Sequence, residues 1–328
     1  LNLNNRAIER NLGLFYGFHS QKLREIVPIK GYLEFEKDLG RRRVDIFFEE
    51  EDHDIYIEIQ IRDSDISHLK QILRIIGNDK IIDDTKIIWI ATGFDSVHLE
   101  EVKRTLKNQN RRLEFYALLI SSEMVQQLEA FSDTNEFVII DKLSRMLSYD
   151  DTEVYCKFNN YNFMKERKYS YKRLENPDHE LVKFYIKEIR NQIPNWINAY
   201  NSKVPSARRI SFGAGVNDIS FLVGINRYER LAVEVQFSQA KLRLFRDLYS
   251  CRHMINEKLE LKPIWDFKKH KIHYSIPFNV AYRDVLLEKQ VSVLKRYLEV
   301  LYPLIQHRDE IGSVSSNDLE SFVEVLLV

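Results

Sequence analysis

A chain of 328 residues exceeds the usual size of one domain, and two domains of about 150 residues each are the natural expectation. Hydrophobic content of 44% and aromatic content of 12% suffice for packed cores, while 49 basic against 49 acidic residues leave no net charge, so any nucleic-acid binding must come from local patches. Two cysteines without metal-ligand spacing, Cys156 and Cys251, argue against a zinc site or disulfide framework, and the absence of an apolar run of about 18 residues excludes a membrane-spanning helix.

Along the chain, Ile8, Leu12, Phe15, Leu23 and Ile26 recur at helical spacing from about Asn5 to Ile26, and Pro28 closes that segment. Three short strands are expected next: Tyr32 to Leu39, Arg43 to Phe48 and Ile55 to Ile61, the last two separated by an acidic turn of hairpin size. Ile66, Leu69, Ile72, Leu73 and Ile76 then mark one face of a helix from about Ser64 to Ile76, with Ser64 or Asp65 as its N-cap. The continuous run Lys86 to Ala91 suits a strand covered on both faces, with Trp89 in the core. A helix near Ser96 to Lys107 and a strand near Leu113 to Ile120 follow. The order α-β-β-β-α-β-α-β predicts a mixed sheet flanked by helices, an α/β domain over residues 1–148.

Residues 149–177 turn polar and rich in Asn and Tyr, which reads as a linker or arm. Residues 178–328 read as an α+β domain: a helix from Glu180 to Tyr200 broken at Pro194, strands at Arg209 to Phe212, Asp218 to Gly224 and Leu231 to Phe237, and helices from Gln239 to Lys258 and Tyr282 to His307. Its Asp218, Glu234-Val235-Gln236 and following helix echo Asp45, Glu58-Ile59-Gln60 and theirs, so a repeat of the same core and a chance match both stand open.

Asp45 and Glu58 each interrupt an apolar run, and adjacent strands place them side by side. A buried carboxylate needs a cation or a hydrogen-bond network, and Mg²⁺ takes one or two carboxylates while leaving positions for water and phosphate. The competing reading is a pair of strand carboxylates facing solvent or one of Arg41, Arg42 and Arg43.

Asp45 followed by Glu58-Ile59-Gln60, on the second and third strands of this unit, resembles the PD-(D/E)xK nuclease core, with Gln in place of the final Lys. With Asp63, Asp65, His68-Leu69, Gln71, Lys86 to Ala91, Phe94 and His98, residues 30 to 120 resemble a prokaryotic family of uncharacterised proteins that often carry a C-terminal domain of unknown function. The resemblance implies a restriction-endonuclease-like fold and Mg²⁺- or Mn²⁺-dependent hydrolysis of DNA phosphodiester bonds, in restriction or phage defence. Asp45, Glu58 and the Ile59 carbonyl are then the metal ligands, and Gln60 orients the attacking water. Glu36 and Glu9 are candidates for a second metal or for positioning water, Glu34 competes with Glu36 by register, and His68 and Gln71 share a helix face beside the site. Arg41, Arg42, Arg43, Lys168 and Lys172, the last two interleaved with Tyr169 and Tyr171, are candidate nucleic-acid contacts. A neutral amide cannot supply the charge of a lysine, so a non-catalytic nucleic-acid-binding or interaction module of the same fold is the alternative. A cytoplasmic protein, a homodimer or a defence-system partner protein completes the expectation.

Overall fold

The computed structural model describes residues 3–39, 43–78, 81–131, 138–163, 177–200, 208–226, 228–315 and 318–327. The chain forms two compact units, one spanning Leu1–Leu174 with Tyr200–Ser202 and the other Glu175–Ala199 with Lys203–Val328.

In the first unit the N-terminal apolar stripe makes two helices rather than one: α1 (Leu3–Phe18) and α2 (Gln21–Ile26), because the Ser20 side chain accepts the Leu23 N–H and starts the second. Strands β1 (Tyr32–Asp38), β2 (Arg43–Glu49) and β3 (Asp54–Ile59) form an antiparallel meander. Helix α3 (Ile66–Ile76) then crosses over to β4 (Thr85–Ala91), parallel to β3, and α4 (Ser96–Lys107) crosses to β5 (Leu113–Leu119), parallel to β4. The result is a six-stranded mixed sheet flanked by helices, as the order of elements predicts, with its strands in chain order.

Successive crossovers to adjacent strands put α3 and α4 on one face, where Leu69, Ile72 and Ile76 of α3 and Leu99, Val102 and Leu106 of α4 bury against Tyr56, Ile87, Trp89 and Phe115. Helix α1 packs with α5 (Ser122–Glu129) and α6 (Ile139–Leu143). The sixth strand, β6 (Glu153–Asn159), lies within the stretch expected as a linker and pairs antiparallel with β5. Its sequence hides it: an edge strand exposed along most of its length needs no apolar alternation. Asn160, fully buried just beyond it, fixes this edge by accepting the Leu113 N–H and donating to the Leu106 and Arg111 carbonyls.

The second unit is α+β. Helix α7 (Pro177–Gln192) precedes the meander β7 (Arg209–Gly213), β8 (Ile219–Ile225) and β9 (Arg230–Phe237), and the expected single helix after it divides into α8 (Leu242–Ser250) and α9 (Arg252–Leu259). The hairpin β10 (Ile264–Asp266) and β11 (Lys271–Pro277), absent from the sequence expectation, joins β9, giving the order β10-β11-β9-β8-β7 with every pairing antiparallel. Helix α10 (Arg283–Gln306) lies on β9, and its buried Gln290 donates to the Gly224 and Ala232 carbonyls. The echo of the first unit therefore reaches through the meander and the helix after it, and ends there: the next strand beside β3 is parallel, the one beside β9 antiparallel. Among the described residues no helix is long and apolar enough to cross a membrane.

Candidate functional site

The ladders of β1, β2 and β3 are interrupted at one row. Pairing of β2 with β3 ends at Ile46 and Ile57, and the same register places Asp45 opposite Glu58 at the next step. Between β1 and β2 the ladder runs from Phe35–Ile46 to Lys37–Val44 and skips Glu36 and Asp45, which lie opposite each other. Glu36 has a left-handed backbone, φ 52°, which costs a residue with a Cβ of order 1 kcal/mol or more and collects at functional sites. Three carboxylates, Glu36, Asp45 and Glu58, thus stand in a row where the sheet opens.

The break at Glu36 also decides between it and Glu34. Glu34 is buried away from the row, with Lys37 2.7 Å from its Oε2, and Lys37 lies over the Phe47 ring. Glu36 instead raises the proton affinity of both Asp45 and Glu58, as does Glu9 from α1.

Asp45 fills the gap left by the ladder: its Oδ2 accepts the Ile59 N–H at 2.7 Å, in place of a strand carbonyl. Burial pushes its carboxyl up to about 7, with Glu36 and Glu9 adding and the Ile59 N–H opposing. Glu58, 3% exposed, is pushed well above the ordinary carboxylate range by burial and then by Asp45, against a hydrogen bond from the Gln71 side chain. Its Oε2 is buried without a hydrogen-bond partner. Burial and mutual repulsion oppose ionising both acids together, and a bound cation would relieve both.

Helix α3 supplies the wall of the site. Gln71 donates to the Arg43 carbonyl at 2.7 Å as well as to Glu58, and so ties β2, β3 and α3 together. Gln60, one residue past β3, donates Nε2–H to the Asp63 carbonyl at 2.6 Å and to Asp65 Oδ2 at 2.9 Å. Both partners are acceptors, so the amide orientation is fixed and both N–H protons are used, which leaves its buried Oε1 unpartnered. Asp65 is the N-cap of α3, accepting the His68 N–H, and its carboxylate lies 3.0 Å from His68 Nδ1. Glu9 is raised by burial, with His68, Arg62 and Arg6 opposing, so these side chains border the carboxylates on the α1 side.

The candidates expected from sequence therefore separate. Asp45, Glu58, Glu36 and Glu9 share one electrostatic field, Gln71 touches it, and Gln60 and His68 meet at Asp65. Arg43 is half exposed with Nη1 3.8 Å from Glu36 Oε2. Arg41, Arg42, Lys168 and Lys172 lie outside the described residues. Asp65 and Arg62 were not singled out as site residues. Asp65 carried a signal, the spacing Asp65-x-x-His68 at a helix start, but that spacing reads first as a cap. Among the described residues no group of three or more His, Cys, Asp or Glu is arranged to hold a metal ion.

The second unit answers the same burial problem differently. Glu234, the counterpart of Glu58, is buried with Arg209 Nη2 2.9 Å from one oxygen and Lys271 Nζ 3.0 Å from the other. Burial alone would raise its carboxyl, but Lys271 and Arg209 together hold it below the ordinary range. Asp218, the counterpart of Asp45, is exposed in the turn before β8. Glu234 is closed by two cations, whereas no salt bridge reaches Glu58 among the described residues. No family model, no curated protein and no solved structure matches the chain.

Proposed function

We propose that the first unit is a divalent-metal-dependent phosphodiesterase of PD-(D/E)xK type that cuts DNA. One observation carries the reading: Asp45 and the buried Glu58 lie opposite each other at a break in the sheet, Asp45 with its carboxyl pushed up to about 7 and Glu58 raised well above the ordinary carboxylate range, whereas Glu234, which matches Glu58 in the sequence echo, is neutralised by two cations of its own chain. The donor set suits Mg²⁺ or Mn²⁺. It is all oxygen, and such ions need one or two carboxylates with the remaining positions filled by water and substrate phosphate, so a ready-made cluster of three protein ligands is not required.

Asp45 and Glu58 would hold the ion, Glu58 through the oxygen that lacks a partner. Bound there, it supplies positive charge at the scissile phosphate and acidifies water. The Ile59 N–H keeps the Asp45 carboxylate in place, and Gln71 does the same for Glu58. Gln60 Oε1, buried and fixed in direction, accepts a hydrogen bond from the attacking water and orients it.

Incubation of the full chain with supercoiled plasmid and with single- and double-stranded oligonucleotides, in Mg²⁺ or Mn²⁺, tests the reading. Cleavage that disappears in Asp45→Asn and Glu58→Gln with the fold retained supports it. Binding without cleavage across that panel favours instead a nucleic-acid-binding module that keeps the fold. The observation on that side is that the Gln60 amide, where the nuclease pattern has Lys, brings no charge to the phosphate.

A further inference from the structure

Water attacking a phosphodiester must lose a proton, and the group that a lysine would occupy is an amide with no basic atom. Asp65 accepts directly from the Gln60 amide at 2.9 Å and is engaged there and by His68, which is the next titratable group along that network. Its ring lies at the first turn of α3 with a quarter of its side chain exposed, Nδ1 3.0 Å from both Asp65 oxygens. A carboxylate only accepts, so Nδ1 carries the hydrogen and the lone pair sits on Nε2, which makes no hydrogen bond among the described residues. Asp65 is itself held on three sides, by the Gln60 amide at 2.9 Å, the His68 backbone N–H at 2.9 Å and the His68 ring. Burial works to raise the Asp65 carboxyl, but these hydrogen bonds from His68 outweigh it and keep it below its ordinary value, so the anion that orients the imidazole persists. Glu9 of α1 feels His68 and Asp65 together with Arg62 and Arg6, and it also acts on Asp45 and Glu58, so His68 and the carboxylate row share Glu9 as a neighbour.

We propose that His68, oriented by Asp65, takes the proton from the attacking water, the task left open by Gln60; this rests on the phosphodiesterase reading above. The water oxygen forms its bond to phosphorus as the bond from phosphorus to the leaving sugar oxygen breaks. The electron pair departs on that oxygen, which takes up a proton from solvent. The water proton goes to Nε2, and the imidazolium returns it to solvent, so that one water is consumed for each ester cut. Asp65 is a positioning residue: it fixes the tautomer and touches nothing that reacts.

The test uses the full chain with supercoiled plasmid and Mg²⁺, measuring kcat and KM from pH 5.5 to 9 for wild type, His68→Gln and Asp65→Asn, with Mn²⁺ affinity measured by calorimetry. The expected result for His68→Gln is a kcat about 100-fold lower. Its KM and Mn²⁺ affinity stay within twofold, the acid limb of the pH profile is lost, and imidazole in the buffer restores part of the rate. His68→Asn gives the same result if His68→Gln folds poorly. Nitrogen-15 NMR of the neutral ring is expected to show hydrogen on Nδ1. Wild-type kcat or an unchanged acid limb in the His68 variants overturns the proposal alone, as does an Nε2–H tautomer. A wild-type protein that binds plasmid and Mn²⁺ without cutting overturns the phosphodiesterase reading, and this proposal with it.

Discussion

Asp45 is an acid whose surroundings oppose its charge, and that has a consequence for stability. Its ordinary carboxyl value is 3.8 and its value in the folded chain about 7, so between these pH values the folded state binds a proton that the unfolded state has released. Stability therefore falls as pH rises through that window, and the loss is complete above about 7. In Mg²⁺-free buffer at pH 8, Asp45→Asn is expected to be more stable than wild type by about 2 kcal/mol, a gap that closes toward pH 5. Asn keeps an oxygen for the Ile59 N–H, so the ladder gap stays filled. Urea midpoints at the two pH values check this, and an equal gap at both would sink the account. Adding Mg²⁺ at pH 8 should raise the wild-type midpoint and leave the variant's unchanged.

Glu36 makes a second prediction at the same scale. At φ 52° glycine pays no steric cost, so Glu36→Gly is expected to match or exceed wild-type stability by up to about 1 kcal/mol, whereas Glu36→Val loses about 1–2 kcal/mol. Thermal melts of the two variants separate these outcomes. The left-handed turn of this residue was not legible in the sequence, since nothing in Phe35-Glu36-Lys37 calls for it; Asp45 and Glu58 were, because a carboxylate inside each of two apolar strands is costly without a reason.

Among the elements, α3 carries most of the site, and Asp65 joins its folding to its chemistry. The side chain caps the helix and also grips Gln60 and His68. Asp65→Ser keeps a good cap and is expected to hold stability within about 1 kcal/mol of wild type, while Asp65→Ala loses about 1 kcal/mol more than Ser. Both release Gln60 and His68, so their activities should fall alike although their stabilities differ. Activities that follow stability instead would show that the cap alone matters. The places of α3, α4 and the first five strands followed from apolar patterning, periodic in the helices and a continuous run in β4, although β3 ends at Ile59 rather than at the expected Ile61. Strand β6 and the β10–β11 hairpin did not: β6 is a mostly exposed edge, and β10 is three residues long, too short to show a period.

At the scale of the whole molecule, the two units treat one glutamate in opposite ways. Removing Glu234 leaves Arg209 and Lys271 without their shared partner, so Glu234→Gln is expected to cost about 3 kcal/mol, whereas Glu58→Gln removes a destabilised charge and leaves metal-free stability at pH 8 equal or higher. Trp196 and Trp265 belong to the second unit and Trp89 to the first, so emission from variants that retain one set assigns each unfolding transition. A loss in Glu58→Gln as large as that in Glu234→Gln would remove the contrast on which the functional reading stands. The echo between the units was visible in sequence as Glu-x-Gln after an acidic residue. Its end was not, since the direction of the next strand depends on how the chain returns to the sheet: through α3 into β4 beside β3, and through α8, α9 and the short β10 into β11 beside β9.

The sheet of the first unit runs β1 to β6 in the order of synthesis, so each strand finds its neighbour already made. A chain leaving the ribosome can add one strand at a time without holding an unpaired segment in wait, which suits vectorial assembly and keeps the loops to be closed short. By that order the carboxylate row is assembled with β3, before the parallel strands β4 and β5 are added, and Asn160 closes the sheet last.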